Sequence, residues 1–278
     1  MTPRFIVRAM QRNIVAVFEK LVRTLPGAQL HAGNELSWTL TKVPFAVFNS
    51  IFAARLDAAA AGDQIEAVKV RAERNGVPVL WWIASGDTPA DLAQRLTRAG
   101  FAYAATLPGM SLDLTDLPAD APAAAALDDV TIAGVSDNRT ARIWCDVFAR
   151  GFGFPKTIGD EFLPLAIESA GERDAAYRNY VLSWRGEAVA AASAMLTGDV
   201  AGIYNVATLP HARRRGFGGA LTAHAVRNAR NRGASVAVLQ SSEAGLRVYQ
   251  ALGFRERCRF EQFIFTPEDS AERRVSTP

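Results

Sequence analysis

The sequence has few of the residues that build disulfide frameworks or metal sites. Its 278 residues include two cysteines, Cys145 and Cys258, and three scattered histidines, His31, His211 and His224. Two cysteines cannot form a disulfide framework, and no cysteine or histidine spacing matches a zinc site. We therefore expect a protein of a reducing compartment that uses no metal.

Long apolar runs are also missing. No stretch reaches the roughly 18 uninterrupted apolar residues that a membrane-spanning helix needs. Arginines interrupt the apolar positions of the N-terminus, unlike in a signal peptide. These absences predict a soluble cytoplasmic protein without a membrane partner.

Composition and length are those of a globular protein. Hydrophobic residues make up 49% and charged residues 21% of the chain, which excludes a disordered chain, a collagen-like repeat and a coiled coil. The length favours two domains over one large domain. The net charge of +3 is concentrated in arginines of the second half. Because aromatic residues do not alternate with these arginines, we expect no nucleic-acid partner.

A segment rich in proline and alanine divides the chain near residue 120. The predicted organisation is a first domain at 1–120, a linker at 121–129, a second domain at 130–267 and a flexible polar tail at 268–278.

Both halves alternate predicted helices and strands, which indicates an α/β fold on a mixed sheet. In the first half, helical spacing covers 14–22, 63–74 and a segment starting at Asp87, and strands are predicted within 36–47, 77–83 and 101–114. In the second half, helices are predicted at 138–150, 160–169, 216–232 and 244–252, and strands at 130–135, 180–184, 188–196, 202–209, 235–240 and 256–265. Residues 67–76 also resemble 225–233, and 95–101 resemble 248–254, which favours an ancient duplication.

The most informative segment is residues 204–221, where an apolar strand leads through a proline turn into a basic, glycine-rich turn and then a helix. Backbone N–H groups at a helix N-terminus attract anions, and glycine lets a phosphate approach without a Cβ in its way. This pattern predicts a phosphate-binding turn.

Two motifs carry a family resemblance. Arg213-x-x-Gly216-x-Gly218 resembles the Arg/Gln-x-x-Gly-x-Gly/Ala signature of the GNAT superfamily of acyl-CoA-dependent N-acyltransferases. Downstream, Ser242 followed by a helix and Tyr249-x-x-Leu252-Gly253-Phe254 is similar to the family's second signature. The resemblance implies two GNAT-like domains, each with a mixed, mostly antiparallel twisted sheet flanked by helices, and acetyl-CoA as cosubstrate.

The resemblance also implies the site. The strand before the turn and the strand at 235–240 would diverge to admit pantetheine, and Arg227 or Arg230 would reach the 3′-phosphate. The implied coenzyme-binding residues are Val206, Ala207, Thr208, Arg213, Arg214, Arg215, Gly216, Phe217, Gly218, Gly219, Ser242 and Tyr249.

Two groups are implied in catalysis. The backbone N–H of Val206 would lie beside the thioester carbonyl, and the Tyr249 hydroxyl would protonate the departing thiolate. In the first half, Leu96 corresponds to Tyr249, and residues 55–62 lack a Gly-x-Gly. We therefore expect a first domain that has lost its coenzyme site.

The general base and the acceptor pocket are less defined. Several GNAT members carry a glutamate near the start of this strand that takes the proton of the amine. Here residues 201–203 at that place include no glutamate, which leaves Asp199, Tyr204, Glu243 or water as alternatives. An aromatic group on the opposite side is a candidate pocket lining: Trp144, Phe148, Phe152 and Phe154.

The sequence thus predicts an N-acetyltransferase, monomeric or homodimeric, that acts on a primary amine of a small molecule or peptide. Two alternatives remain at this point. A non-catalytic acyl-CoA sensor would bind the coenzyme without transfer, and a nucleic-acid binder would show steep salt dependence and no competition by CoA.

Overall fold

The computed structural model describes residues 3–117, 127–171 and 176–268. Within these residues the chain forms two compact units: 3–11, 18–108 and 258–268 make up the first, and 12–17 and 109–257 the second. The predicted linker and tail lie mostly outside the described residues.

The described helices and strands follow one another in an α/β pattern. The helices are α1 (Pro3–Thr24), α2 (Ala61–Asn75), α3 (Leu92–Arg98), α4 (Asn138–Phe152), α5 (Lys156–Gly171), α6 (Phe217–Asn231) and α7 (Glu243–Ala251). The strands are β1 (Gln29–Ala32), β2 (Ser37–Leu40), β3 (Ser50–Phe52), β4 (Val79–Ala84), β5 (Ala102–Asp113), β6 (Val130–Gly134), β7 (Tyr177–Trp184), β8 (Glu187–Thr197), β9 (Val200–Thr208), β10 (Val236–Gln240) and β11 (Arg255–Phe265).

Sequence spacing explains where the helices lie. In α2, apolar residues three or four positions apart form the buried face: Ala61, Ile65, Val68 and Ala72. The helix ends at Gly76, whose left-handed conformation (φ 59°) lets its N–H reach the carbonyls of the last turn. In α4, Asp137 and Thr140 form a reciprocal capping box at the first turn.

The two units have similar sheet topologies, and the second unit has one additional strand, β6. In the first unit the strand order is β1-β2-β3-β4-β11, and in the second it is β6-β7-β8-β9-β10-β5. The pairs β3–β4 and β9–β10 are parallel, each joined by a crossover helix, α2 or α6, and the other described pairs are antiparallel. The predicted fold class is therefore confirmed, including the mixed, mostly antiparallel sheet in each unit.

The last strand of each unit comes from a distant part of the chain. In the second unit β10 pairs with 109–113 of β5, and in the first unit β4 pairs with 260–265 of β11. The units consequently do not follow a single boundary near residue 120. Sequence patterns identify these segments as strands, but they carry no information about which strand each one joins.

Local differences from the sequence prediction are larger in the first unit. In the second unit α5 begins at Lys156 rather than at 160, and β7 begins at Tyr177 rather than at 180. Strand β1 was not predicted, and within 36–47 a strand forms only at Ser37–Leu40. The helix predicted from Asp87 begins at Leu92, because the Asp87 carboxylate accepts from the Ala84 N–H and Thr88 forms a bridge with Arg55.

Candidate functional site

Strands β9 and β10 pair at one end and separate at the other. Their parallel ladder contains three residue pairs and ends at Val238 and Gly202. Strand β9 continues to Thr208 and β10 to Gln240 without further pairing between them in the described residues. The backbone of β9 beyond Gly202 therefore has one edge without a strand neighbour, which is the divergence that the resemblance implies.

A β-bulge lies within this open part of β9. Ala207 pairs with Ala191 of β8 and Tyr204 pairs with Ser193, so two residues of β9, Asn205 and Val206, face one residue of β8. Asn205 has a left-handed conformation with φ 55°. The Asn205 side chain donates from Nδ2 to the Tyr177 hydroxyl at 3.1 Å and to Ser193 Oγ at 3.2 Å.

Arg213 holds the turn that follows β9. Its Nε donates to the carbonyl of Thr208 at 3.1 Å, and a terminal guanidinium nitrogen donates to the carbonyl of Gly151 at 2.7 Å. These bonds connect the turn to the end of β9 and to α4. The first arginine of the motif therefore shapes the turn through backbone contacts, in addition to any contribution of its charge.

Six consecutive backbone N–H groups, from Arg214 to Gly219, have no acceptor among the described residues. Arg214 and Gly216 have left-handed conformations, with φ 61° and 82°, and α6 begins directly after Gly216. Alternation of this kind, followed by a helix N-terminus, concentrates N–H donors into an anion-binding concavity.

Gly218 faces the open strand. A Cβ placed on it would lie 3.6 Å from Thr208 Oγ1 and 3.9 Å from Val206 Cγ1. The space above these two residues is consequently available because position 218 has no side chain.

The remaining arginines of the second unit differ in their surroundings. Arg214 and Arg215 are exposed, and the Arg215 guanidinium lies over the Trp184 ring at 4.6 Å. Arg227 and Arg230 lie ten and thirteen residues beyond the start of α6, about 15 and 20 Å along its axis. The expectation that either arginine reaches a 3′-phosphate stays a prediction.

Tyr249 belongs to the core side of α7. Ser242 caps this helix by accepting from the Gly245 N–H at 3.2 Å. The Tyr249 ring packs so closely on Gly245 that a Cβ there would lie 2.8 Å from its Cε2. Tyr249 is 9% exposed, and its hydroxyl has no hydrogen-bond partner among the described residues. Burial raises the pKa of Tyr249 to about 12.

The sequence model of the Acetyltransferase (GNAT) family matches residues 142–254. This range includes the bulged strand, the N–H-rich turn and Tyr249. Residues 142–254 form a GNAT domain. A comparison with curated proteins finds no match.

Solved structures of low sequence identity share the fold over both units. A GCN5-related N-acetyltransferase from Kribbella flavida is 18% identical, with a TM-score of 0.71 over 94% of this chain and 98% of that chain. One from Sphaerobacter thermophilus is 16% identical, with a TM-score of 0.63 over 95% and 93%. A tandem GNAT protein from the clavulanic acid biosynthesis pathway is 14% identical, with a TM-score of 0.57 over 87% and 84%. The chain therefore has a tandem GNAT fold.

Two of the candidates for a general base, Asp199 and Tyr204, are engaged in hydrogen bonds elsewhere. Asp199 accepts from Ser235 Oγ at 2.6 Å, at the opposite end of β9 from the turn. The Tyr204 hydroxyl donates to Asn13 Oδ1 at 2.7 Å, and burial raises its pKa, so it stays protonated. Glu243 is exposed in the first turn of α7.

The aromatic group on α4 and just after it is mainly a packing cluster of the GNAT domain. Trp144 is fully buried and donates from Nε1 to the Ala192 carbonyl at 3.0 Å, and Phe148 is stacked on it and buried. Phe152 is 45% exposed and Phe154 is half-buried. The inner two residues belong to the core, and the expectation that the four line an acceptor pocket stays a prediction.

Three polar residues of the second unit were not singled out from the sequence. Asn13 Oδ1 accepts a hydrogen bond from the Tyr204 hydroxyl next to Gly202. A Cβ added to Gly202 would lie 2.6 Å from that hydroxyl. At the end of β10, the Nε2 of Gln240 is buried without a partner in the described chain. Asn205 had one available signal, because it is a polar residue of a type that tolerates left-handed conformations inside an apolar strand.

The described residues show no metal-binding group of three or more His, Cys, Asp or Glu side chains. None of the described helices is both long and apolar enough to cross a membrane.

Proposed function

We propose that this chain is an N-acyltransferase that transfers the acetyl group of acetyl-CoA to a primary amine of a small molecule or peptide. One observation carries the proposal: a row of unpartnered N–H groups lies directly beyond an open strand edge. This combination fits the two ends of a single ligand, a pyrophosphate joined to a chain of amides.

The residues of the turn fit the coenzyme. The N–H groups from Arg214 to Gly219 would bind the pyrophosphate, and the exposed Arg214 and Arg215 would add positive potential. Backbone groups from Val206 to Thr208 would pair with the pantetheine amides along the open edge of β9. Ser242 would contribute indirectly, by capping the helix that carries Tyr249.

Two groups of this chain would act on the reacting thioester. The Val206 N–H would stabilise the negative charge that develops on the carbonyl oxygen when the amine attacks. The added amine nitrogen loses a proton to solvent, and the carbon–sulfur bond breaks. The Tyr249 hydroxyl gives its proton to the sulfur, and the phenolate regains a proton from solvent. The burial that raises the pKa of Tyr249 also raises that of a thiolate beside it, so their proton affinities move in the same direction.

We propose that the first unit does not bind the coenzyme. Its parallel strands β3 and β4 also separate, but an isolated bridge between Arg55 and Thr88 closes the gap. The Thr88 N–H donates to the Ala54 carbonyl, and the Leu56 N–H donates to the Thr88 carbonyl. These bonds occupy the edge that pantetheine would need.

Titration of acetyl-CoA by calorimetry tests both proposals. Wild type should bind one acetyl-CoA per chain. Gly218→Val should weaken binding at least tenfold, about 1.4 kcal/mol, because its methyl groups enter the space above Thr208 and Val206. The matched control is Gly62→Val, the same change at the second residue of the equivalent helix α2, where a Cβ meets nothing within 4 Å.

The control variant should bind acetyl-CoA like wild type. Two equivalent sites per chain, or an affinity that falls in Gly62→Val, would contradict the assignment of the site to the second unit. Wild-type affinity in a folded Gly218→Val protein would move the pyrophosphate away from the turn.

A further inference from the structure

We infer that Asn205 is a positioning residue for the oxyanion donor, and that the Tyr177 hydroxyl holds it in place. The inference rests on the proposed function, which assigns the adjacent Val206 N–H to the thioester carbonyl.

The bulge makes the direction of the Val206 N–H depend on its neighbour. In a regular strand, successive N–H groups point alternately to the strand on one side and to the strand on the other. At a bulge two residues lie opposite one residue of the neighbouring strand, so this alternation is interrupted. Here the shift occurs at Asn205 and Val206, next to the open edge of β9. The peptide between these residues is therefore oriented by the left-handed conformation of Asn205, with φ 55°.

A left-handed conformation is costly for most residues and needs support. Asparagine tolerates it best among residues other than glycine, but it also populates extended conformations. The two hydrogen bonds from Nδ2, to Tyr177 and Ser193, fix the side chain and with it the backbone. Rotation of Asn205 into an extended conformation would break both bonds.

Both acceptors are themselves held rigidly. Tyr177 is 1% and Ser193 0% exposed. Ser193 Oγ donates to Asn179 Oδ1 at 2.6 Å, and Asn179 Nδ2 donates to Ser169 Oγ at 3.4 Å. A chain of hydrogen bonds thus extends from α5 through β7 and β8 to the bulge of β9. Its end lies one residue from the proposed oxyanion donor.

Three variants separate positioning from general stability. Tyr177→Phe keeps the buried ring and removes the acceptor, and Asn205→Gly keeps access to the left-handed conformation and removes the anchor. The matched control is Tyr180→Phe, on the same strand. Its hydroxyl donates to Asn228 Oδ1 at 2.8 Å and is also in a buried residue, but that bond involves α6 rather than the bulge.

The readout is the carbon-13 resonance of acetyl-CoA labelled at the carbonyl, measured free and bound. A hydrogen bond to the carbonyl oxygen moves this resonance downfield, and no acceptor amine is required. We expect the downfield shift of wild type to be at least halved in Tyr177→Phe and in Asn205→Gly. Tyr180→Phe should keep the wild-type shift, and calorimetric affinity should stay within about threefold in all three, because one hydrogen bond is a small part of coenzyme binding.

The possible failures have different signatures. If wild type does not bind acetyl-CoA, the proposed function fails and the inference with it. If wild type binds but Tyr177→Phe and Asn205→Gly keep the full shift, the positioning role alone is overturned. Loss of acetyl-CoA binding in both variants would also overturn it, because the network would then maintain the fold of the site rather than orient one N–H.

Discussion

Tyr249 combines burial with a hydroxyl that has no partner in the described chain, and this decides its protonation. Since burial raises its pKa to about 12, the phenol keeps its proton at every pH below that value. A proton donor that stays protonated imposes no alkaline limit on turnover. We therefore expect wild-type turnover at saturating acetyl-CoA to show no fall attributable to Tyr249 between pH 7 and about 10.

Tyr249→Phe should lower kcat by about 10²-fold, at the lower end of the effect of general acid catalysis, because a thiolate is a fairly good leaving group. Acetyl-CoA affinity should stay within a few fold, since the ring still packs on Gly245 and Phe254. The measurement is CoA release in the presence of an acceptor, found by screening polyamines, amino acids, aminoglycosides and peptide N-termini.

The control for this variant is again Tyr180→Phe. It removes the hydroxyl of a buried tyrosine on β7 and should leave kcat unchanged. Equal turnover of Tyr249→Phe and wild type would make Tyr249 a packing residue. Tight binding of acetyl-CoA without CoA release in the presence of any amine would favour the alternative of a non-catalytic acyl-CoA sensor.

Among single residues, sequence reasoning identified those with a chemical pattern and missed those with a geometric role. Glycines before a helix and a tyrosine within a motif have recognisable spacing, so Gly218 and Tyr249 could be named. Asn205 and Tyr177 lie 28 positions apart, and only the pairing of β7, β8 and β9 brings them together.

The turn between β9 and α6 is the element on which the proposed site depends, and Arg213 holds it. Arg213→Met removes a positive charge together with the bonds to the Thr208 and Gly151 carbonyls. Arg214→Met removes the same charge from an exposed residue in the same turn. At about 0.1 M salt both variants should bind acetyl-CoA less tightly than wild type, by roughly tenfold for Arg213 and threefold for Arg214.

Salt concentration separates the contribution of the arginine charge from that of the hydrogen bonds that hold the turn. At about 1 M salt the Debye length falls to about 3 Å, so the difference between Arg214→Met and wild type should vanish. The Arg213→Met deficit should persist, because it reflects a misplaced turn. Calorimetric titrations at both salt concentrations measure this, and equal salt dependence of the two variants would reduce Arg213 to a point charge.

Among the secondary-structure elements, the bounds of helices were predicted more accurately than the partners of strands. Apolar periodicity and capping residues are local, and α2, α4 and α6 lie within three residues of their predicted bounds. The short strand β1 has mostly exposed or half-buried residues, so it lacks the apolar pattern that would reveal it.

For the whole molecule, one half-buried carboxyl, that of Asp87, predicts how stability changes with pH. Asp87 accepts from Gln11 Nε2 at 2.7 Å and from the Ala84 N–H at 2.9 Å, and burial raises its pKa from 3.8 to about 6. The folded chain therefore binds a proton that the unfolded chain releases between these pH values. The stabilisation from protonated Asp87 is complete below pH 4 and is lost as pH rises to 6, by up to about 3 kcal/mol.

Asp87→Asn should remove this part of the pH dependence, measured by urea unfolding between pH 4 and 7. Asp91→Asn is the control, because Asp91 is exposed and its pKa is lowered by Arg95, so it should keep the wild-type slope in this window. An unchanged slope in Asp87→Asn would assign the carboxyl an ordinary pKa.

The exchange of final strands also has a consequence for synthesis. The first unit takes β11 from the end of the described chain, and its core includes the contact of Cys258 with Met10, 248 positions apart. A ribosome releases the N-terminal helices and strands long before β11 is made, at about 5–20 residues per second. The edge of β4 that β11 covers therefore stays unpaired until the second unit has been synthesised, and the folding of the first unit is completed only then.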